Sequence, residues 1–329
     1  MTSIRDVAKK AGVAVSTVSK VLNHYPNVTE ETRQKVTQAI EELNFVPNTI
    51  AAALSSKQSG RVALLINMNI GTKAINEIDM QYIAGAIHKA EELKLDVITV
   101  FFSMLKGKTL EEVISYFKSQ NITGMVIYGL SKDDLVIHQL IESKIFKLVV
   151  VDAPMTNSST SAIWVNQEEA QYQVAKKTIT ENKCKKILYL AGKGNGYVTE
   201  ERIKGIERLA KEKKLKLQIE CGDFSEAKAR ELTFRYGKAV DAVICASDMM
   251  AIGAMRALVE MDIFRPVCGF DGITLMGYAG KQMNTIMQDF FNISAEALEE
   301  LKRLLQGNEG RMIYMPYHIE RLQYLDIIC

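Results

Sequence analysis

No run of about 18 apolar residues occurs in this 329-residue chain, so no segment reads as a membrane span. The opening MTSIRDVAKK lacks the apolar core of a secretory signal, and a cytoplasmic protein is expected. Five cysteines, at 184, 221, 245, 268 and 329, are odd in number and form no C-x-x-C pair. They read as reduced thiols rather than a disulfide framework or a zinc site. The four histidines are scattered, and neither H-E-x-x-H nor G-x-S-x-G occurs, so metal-dependent and serine hydrolases lack a site. Gly192, Gly194 and Gly196 follow an apolar run in KKILYLAGKGNGYV. Their spacing is G-x-G-x-G, Tyr197 stands where a nucleotide cradle needs glycine, and no Walker Lys-Ser/Thr follows. No enzyme, metal or cofactor is expected. Fixed-period repeats and low-complexity tracts are also missing.

A net charge of +2 is weak evidence for a polyanion partner, but its placement is informative. Residues 1–60 hold seven Lys or Arg against five Asp or Glu, while the remainder holds 34 of each sign. The excess therefore lies entirely in a segment that reads as helical. Ser3 and Asp6 form a capping signature, and Ile4, Val7, Ala8 and Ala11 follow helical spacing up to Gly12. A second helix is expected over 15–23. Thr29 caps a third, whose stripe is Val36, Ala39, Ile40 and Leu43 and which Pro47 ends. On the second helix Val18, Val21 and Leu22 fall on one side. Ser16, Ser19, Lys20 and Asn23 fall on the other, with Val15 at its edge. A helix-turn-helix presents such a face to the major groove, where small hydroxyls permit close approach. A small helical bundle with a solvated polar face fits the same spacing.

From Arg61 the pattern changes. RVALLINM, DVITVFF, GMVIYG, KLVVVDA, KKILYLAG, AVICAS and VCGF are apolar strand candidates, separated by helical stretches such as 109–120 and 168–181. Apolar strands alternating with helices imply parallel sheets covered on both faces. The units are too many for one compact sheet, so two doubly wound subdomains are expected, with ligands at the C-terminal ends of their strands.

SIRDVAKKAGVAVSTVSKVLN and VTEETRQKVTQAIEELNFVPN, together residues 3 to 54 with the segment that follows, resemble the headpiece of the lactose-repressor/galactose-repressor family. The resemblance implies a helix-turn-helix headpiece over 1–47, a hinge helix and linker over 48–60, and an effector-binding and dimerisation domain over 61–329. That domain would have a periplasmic-binding-protein-like fold. Its N-subdomain would span about 61–164 and 290–318, and its C-subdomain about 165–289 and 319–329. By the same resemblance Val15, Ser16, Thr17, Ser19, Lys20 and Asn23 contact DNA, with Val15 and Ser16 as base readers. Asn48, Ala51 and Leu54 belong to the hinge helix, Leu54 as its minor-groove wedge. Ala14 stands where the family usually has a capping Ser, and AAAL where many members read ARSL, so a hinge Arg is missing.

Residues 61 to 329 resemble the family's effector domain. CASDMMAIGAMRAL places Ser247 where Asn is usual, followed by Asp248, which reads as ligand contact, helix cap or both. CGFDG places Asp271 at a strand end, EERIKG carries Arg202, and KLVVVD ends at Asp152. GDFS places Phe224 for stacking on a sugar face or for core packing, and MQDFF places Phe290 at a hinge strand near the cleft. An aromatic expected after the first strand is absent, and Ile78 and Asp79 stand near its place. Three acids against one Arg suit a neutral polyol rather than a sugar phosphate, unless Lys73 or Lys193 faces the cleft. The expectation is a homodimeric regulator of transcription, a repressor of carbohydrate-utilisation genes controlled by a saccharide. The chain ends at ERLQYLDIIC without a heptad helix, which favours a dimer over a tetramer. The alternatives are a regulator of non-sugar response and a stand-alone sugar-binding protein. The missing signal and the helical headpiece argue against the latter.

Overall fold

The computed structural model describes residues 3–22, 28–43, 45, 61–68, 77–278 and 283–322. Two compact units result, Met1–Ser59 and Gly60–Cys329.

In the first unit, α1 (Ile4–Ala11) starts at Ser3, whose side chain and that of Asp6 cap each other's backbone amides, and it ends on left-handed Gly12. α2 (Val15–Leu22) follows after two residues. Thr29 caps α3 (Glu30–Glu42), as its hydroxyl accepts from the Thr32 amide. Val7, Ala8, Val18, Val21, Val36, Ala39 and Phe45 form one core between the three helices.

In the second unit β1 (Arg61–Ile66), α4 (Glu77–Leu93), β2 (Val97–Phe101), α5 (Leu110–Ser119), β3 (Ile122–Tyr128), α6 (Leu135–Ser143), β4 (Lys147–Val151) and β5 (Thr160–Val165) follow in turn. β5 leads to α7 (Gln167–Asn182), β6 (Lys186–Ala191), α8 (Tyr197–Lys213), β7 (Lys216–Cys221), α9 (Glu226–Tyr236) and β8 (Ala242–Cys245). The chain continues through α10 (Asp248–Glu260), β9 (Val267–Cys268), α11 (Leu275–Tyr278), β10 (Met283–Gln288), α12 (Phe290–Leu305), β11 (Met312–Met315) and β12 (Tyr317–Leu322). One sheet has the order β11-β5-β4-β3-β1-β2, the other β12-β10-β9-β8-β6-β7. Every pairing is parallel except β10 with β12.

Among the described residues the chain passes between sheets three times. At Asn166 and Asp289 the passage coincides with a helix start, and each side chain caps the helix it opens. The third passage is at Pro316, earlier than the sequence reading places it, because Tyr317 and His318 already pair with β10. Each face of the first sheet has its own core. Val62, Leu64 and Ile66 pack with α4 and α12, while Ala63 and Leu65 pack under α5 and α6. Strands buried on both faces are continuously apolar, which made them legible. Glu300 of α12, 1% exposed, fastens the first sheet's far edge. It accepts from Ser161 at 2.6 Å, Arg303 at 2.7 and 2.8 Å, and Arg311 at 2.9 and 3.1 Å.

Candidate functional site

Val18 and Val21 anchor α2 in the core, which turns the rest of the helix outward. Val15, Ser16 and Lys20 are exposed, while Thr17 and Ser19 are half-buried. Ala14 offers only its carbonyl, which accepts from the Thr17 and Val18 amides. Asn23, Asn48, Ala51 and Leu54, with Lys73, lie outside the described residues.

The second candidate site forms where strand ends of the two sheets meet. Asp152, just beyond β4, has a left-handed backbone with φ 60°. Its carboxylate accepts from the Tyr82 hydroxyl at 3.1 Å and from Gln167 Nε2 at 3.2 Å. The Gln167 side-chain oxygen accepts in turn from Arg202 Nε at 2.9 Å. Arg202, 3% exposed, also donates to the Ala246 carbonyl, lies 3.6 Å over the Phe270 ring and reaches Asp271 at 3.5 Å. Asp271 accepts from Gln288 Nε2 at 3.2 Å. A continuous polar relay, Tyr82–Asp152–Gln167–Arg202–Asp271–Gln288, thus links the two subdomains. It contains three of the residues expected from sequence. Tyr82, Gln167 and Gln288 were missed. The available signal was a glutamine on the buried side of α7, where Ala170, Val174 and Ala175 also lie.

The relay is short of donors. Burial pushes the Asp271 carboxyl up to about 7, against the pull of Arg202 and with the push of Asp152. Burial also raises Asp152, again against Arg202. Asp271 has φ 118°, a backbone position rarely adopted by side chains larger than hydrogen. Two buried oxygens nearby, Gln288 Oε1 and Thr199 Oγ1, make no hydrogen bond among the described residues. Thr199 stands one turn before Arg202 on α8, hence on the same face.

The other expected residues surround this relay in different ways. Asp248 is fully buried, and its carboxylate accepts from the Gly272 and Ile273 amides at 2.7 and 2.9 Å and from Thr285 at 2.7 Å. It holds the turn that presents Asp271. A Cβ at residue 269 would sit 2.0 Å from an Asp248 oxygen, so glycine is required there. Burial, then the neighbouring Asp271 charge, raises the Asp248 carboxyl well above its usual range. The helix cap is Ser247, not Asp248, since its hydroxyl accepts from the Met250 amide at 3.3 Å. Phe224 is half-buried, with its ring against Gly192, and packs on the second subdomain's core. Phe290 opens helix α12 rather than lying on a strand, because Asp289 caps that helix. It meets Tyr82 edge-on at 5.3 Å and so backs the relay from the first core. Ile78 packs against both cores, and Asp79 is pushed up to about 6 by burial. Among the described residues no His/Cys/Asp/Glu group suited to a metal ion occurs.

Comparison with known proteins bears on the family and the fold. Residues 3–48 match the bacterial regulatory proteins of the lacI family, and residues 70–309 match the periplasmic binding protein domain. The HTH-type transcriptional repressor PurR of Aliivibrio fischeri is 26% identical over 95% of each chain. The ribose operon repressor of Halalkalibacterium halodurans is 26% identical over 90% of this chain and 88% of its own. These relatives are transcriptional repressors rather than enzymes. The fold matches the lac repressor dimer bound to operator and the anti-inducer ONPF, with a TM-score of 0.81 at 22% identity. That match covers 98% of this chain and 99% of the other. The chain belongs to the lacI family of bacterial regulatory proteins, with a helix-turn-helix headpiece followed by a two-subdomain, periplasmic-binding-protein-like domain.

Proposed function

We propose that this protein is a one-component cytoplasmic repressor that binds an operator as a homodimer and responds to a neutral, hydroxyl-rich effector. The DNA reading rests on α2, whose Val15, Ser16 and Lys20 are exposed while Val18 and Val21 are buried. Thr17, Ser19 and Asn23 would flank these contacts, and Asn48, Ala51 and Leu54 would belong to the hinge helix, with Leu54 as its minor-groove wedge. The exposed Met80 and Ile87 on α4, and Val259 and Phe264 beyond the cleft, support pairing through the α/β domain.

The observation that carries the effector reading is the donor-poor relay. Asp152 and Asp271 can accept from paired hydroxyls, and Arg202 can turn a donor to a ring oxygen. Among the described residues Gln288 Oε1 is a buried acceptor without a partner. An added phosphate would bring negative charge beside two carboxylates against one guanidinium. Phe224 would cover C–H surface from the side. Asp248 serves the site by holding the turn below it, and Ser247 caps the helix that carries Asp248. The name of the ribose operon repressor is consistent with a sugar, whereas the PurR relatives make nucleobases the necessary control.

Titration with sugars, sugar phosphates, nucleobases and amino acids by calorimetry tests this reading. A saccharide is expected to bind, and Asp271→Ala to weaken it by about 1.5–3 kcal/mol. Footprinting is expected to show a near-palindromic site whose affinity falls steeply with salt, with Asp271→Ala leaving that affinity intact. Binding of a nucleobase alone would refute the sugar. Failure of every genomic fragment to outcompete random DNA would refute the repressor.

A further inference from the structure

A cavity of about 80 Å3 lies at the pole of the second subdomain that faces away from the relay. The relay occupies the C-terminal ends of the strands, with Gln167 and Asp248 at the starts of α7 and α10 and Gln288 at the end of β10. The cavity is lined instead by the last turns of those two helices, the starts of β9 and β10, and Arg321 near the end of β12. At about 1.5 Å per residue, roughly 17 Å of α7 separates Gln167 from Thr178, which lines the cavity. Met255, Leu258, Val267 and Met283 are buried and form its apolar wall. Its polar side is built around Asn284, 4% exposed. Asn284 Nδ2 donates to Thr178 Oγ1 and to Glu181 Oε2, both at 3.1 Å. Asn284 Oδ1 is buried without a partner among the described residues.

We propose that this cavity is a second small-molecule site, separate from the cleft, which takes an α-amino acid with a short aliphatic side chain. The charges around it argue for a zwitterion. Asn284 and Arg321 are direct partners across β10 and β12, so the guanidinium is carried on the face of the sheet that holds the Asn284 amide. Arg321 makes no hydrogen bond or ion pair among the described residues. Arg265 is fixed through Nε and Nη1 to the Val240 and Phe264 carbonyls, at 2.5 and 2.7 Å, which leaves Nη2 as a donor. Glu181, on the cavity's other side, accepts from Asn284 alone among the described residues. Both signs of charge thus line one cavity without pairing with each other. A ligand carboxylate would take the guanidinium donors. A ligand ammonium would donate to Glu181 and, through a small rotation of the Asn284 amide, to the oxygen that lacks a donor. A simple carboxylic acid would leave that acceptor side unmet, and a sugar would bring no anion to the guanidinium groups. The size selects the side chain. The cavity is about half of the roughly 150 Å3 that holds a benzene ring, so it suits a branched aliphatic group and not an aromatic one.

Methionine-methyl NMR on the full chain, titrated with L-valine, tests this. The Met255 and Met283 signals are expected to shift and to saturate together as one site. The Met287 signal, beside Gly272 at the cleft, is expected to stay in place. Glu181→Gln and Arg321→Gln alter exposed side chains and so should fold as wild type does. Each should weaken binding on the order of tenfold, as loss of one charge-assisted hydrogen bond would do. Isovalerate, which lacks the amine, and L-phenylalanine, whose ring exceeds the cavity, should each bind more weakly than L-valine by a similar factor of about ten. The absence of any shift at Met255 and Met283 at millimolar L-valine would overturn the proposal. So would a shift confined to Met287, which would put the amino acid in the cleft. Full affinity in both variants, or isovalerate binding as well as L-valine, would overturn it too. The proposal does not rest on the effector reading, which the saccharide titration tests separately.

Discussion

Glu300 and Asp271 are both buried, 1% and 8% exposed, yet their surroundings drive them in opposite directions. Glu300 receives five hydrogen bonds, from Ser161, Arg303 and Arg311. Burial raises its carboxyl, but Arg303, Ser161 and Arg311 outweigh burial and hold it below the usual range. Asp271 receives one hydrogen bond at 3.2 Å and a 3.5 Å contact with an Arg202 that is already engaged by Gln167 and Ala246. Burial then dominates, and the carboxyl rises to about 7. Under the proposed function, the difference separates a fastening from a binding surface. A carboxylate that secures the fold has its donors supplied by the protein. One that awaits a ligand is left short of them, at some expense in stability.

Removing each carboxylate should therefore have opposite consequences, and the largest effect is expected at the fastening. Glu300→Ala should destabilise the α/β domain by about 2–3 kcal/mol, less than a fully buried pair because Arg303 and Arg311 can reach water. Asp271→Asn should leave stability unchanged or raise it. Urea unfolding of both variants at pH 7 checks this. A destabilised Asp271→Asn with a tolerant Glu300→Ala would reverse the assignment of roles.

The pH dependence should separate the two groups as well. A depressed carboxyl adds stability above its unfolded value, near 4.5, and loses it as pH falls through the folded value. Glu300 therefore contributes an acid limb. A raised carboxyl does the reverse, since the folded state holds the proton more tightly. Asp271 favours folding below about 4, and that contribution is lost as pH rises from its unfolded value of 3.8 to about 7. In that window it should tilt stability downward by up to about 1.4 kcal/mol per pH unit. Asp271→Asn should lessen the slope in this window, to which the raised Asp79, Asp152 and Asp248 also contribute, and keep the acid limb, while Glu300→Gln should weaken the limb and keep the window. Identical pH profiles for the two variants would remove the distinction.

These contrasts were only partly visible in the sequence. Apolar runs such as RVALLI and KLVVV marked strands because both of their faces are buried. KLQIEC, which forms β7, and YHIERL, which forms β12, are sheet-edge strands with mixed residues, and no apolar run announced them. Asp152, Arg202 and Asp271 were found through the family resemblance, and the structure brings them together in the relay. The work of Asp248 was not legible, because its partner Thr285 lies 37 residues away and its other donors are backbone amides. Glu77 accepts from Thr274, 197 residues away, and neither belongs to a motif. Side-chain pairing over such separations leaves no local pattern to read.

The smallest effect should come from trimming the fastening without removing its charge. The Ser161 hydroxyl donates to Glu300 at 2.6 Å and accepts from the Arg311 amide at 3.0 Å, so it ties β5, α12 and the start of β11 together. Ser161→Ala deletes both bonds but leaves Arg303 and Arg311 on the carboxylate. The expected loss is about 1 kcal/mol at pH 7, that of one net hydrogen bond with part of its cost recovered by the arginines. The Glu300 carboxyl should also rise toward its ordinary value, because one of the contacts that lowered it is gone. The acid limb, whose onset is set by the unfolded value, should then be smaller and end at higher pH than in wild type, while the window assigned to Asp271 stays in place. Urea midpoints at pH 4 and pH 7 measure both parts. A loss as large as that of Glu300→Ala would mean that the hydroxyl, rather than the arginine pair, is what fastens the sheet edge.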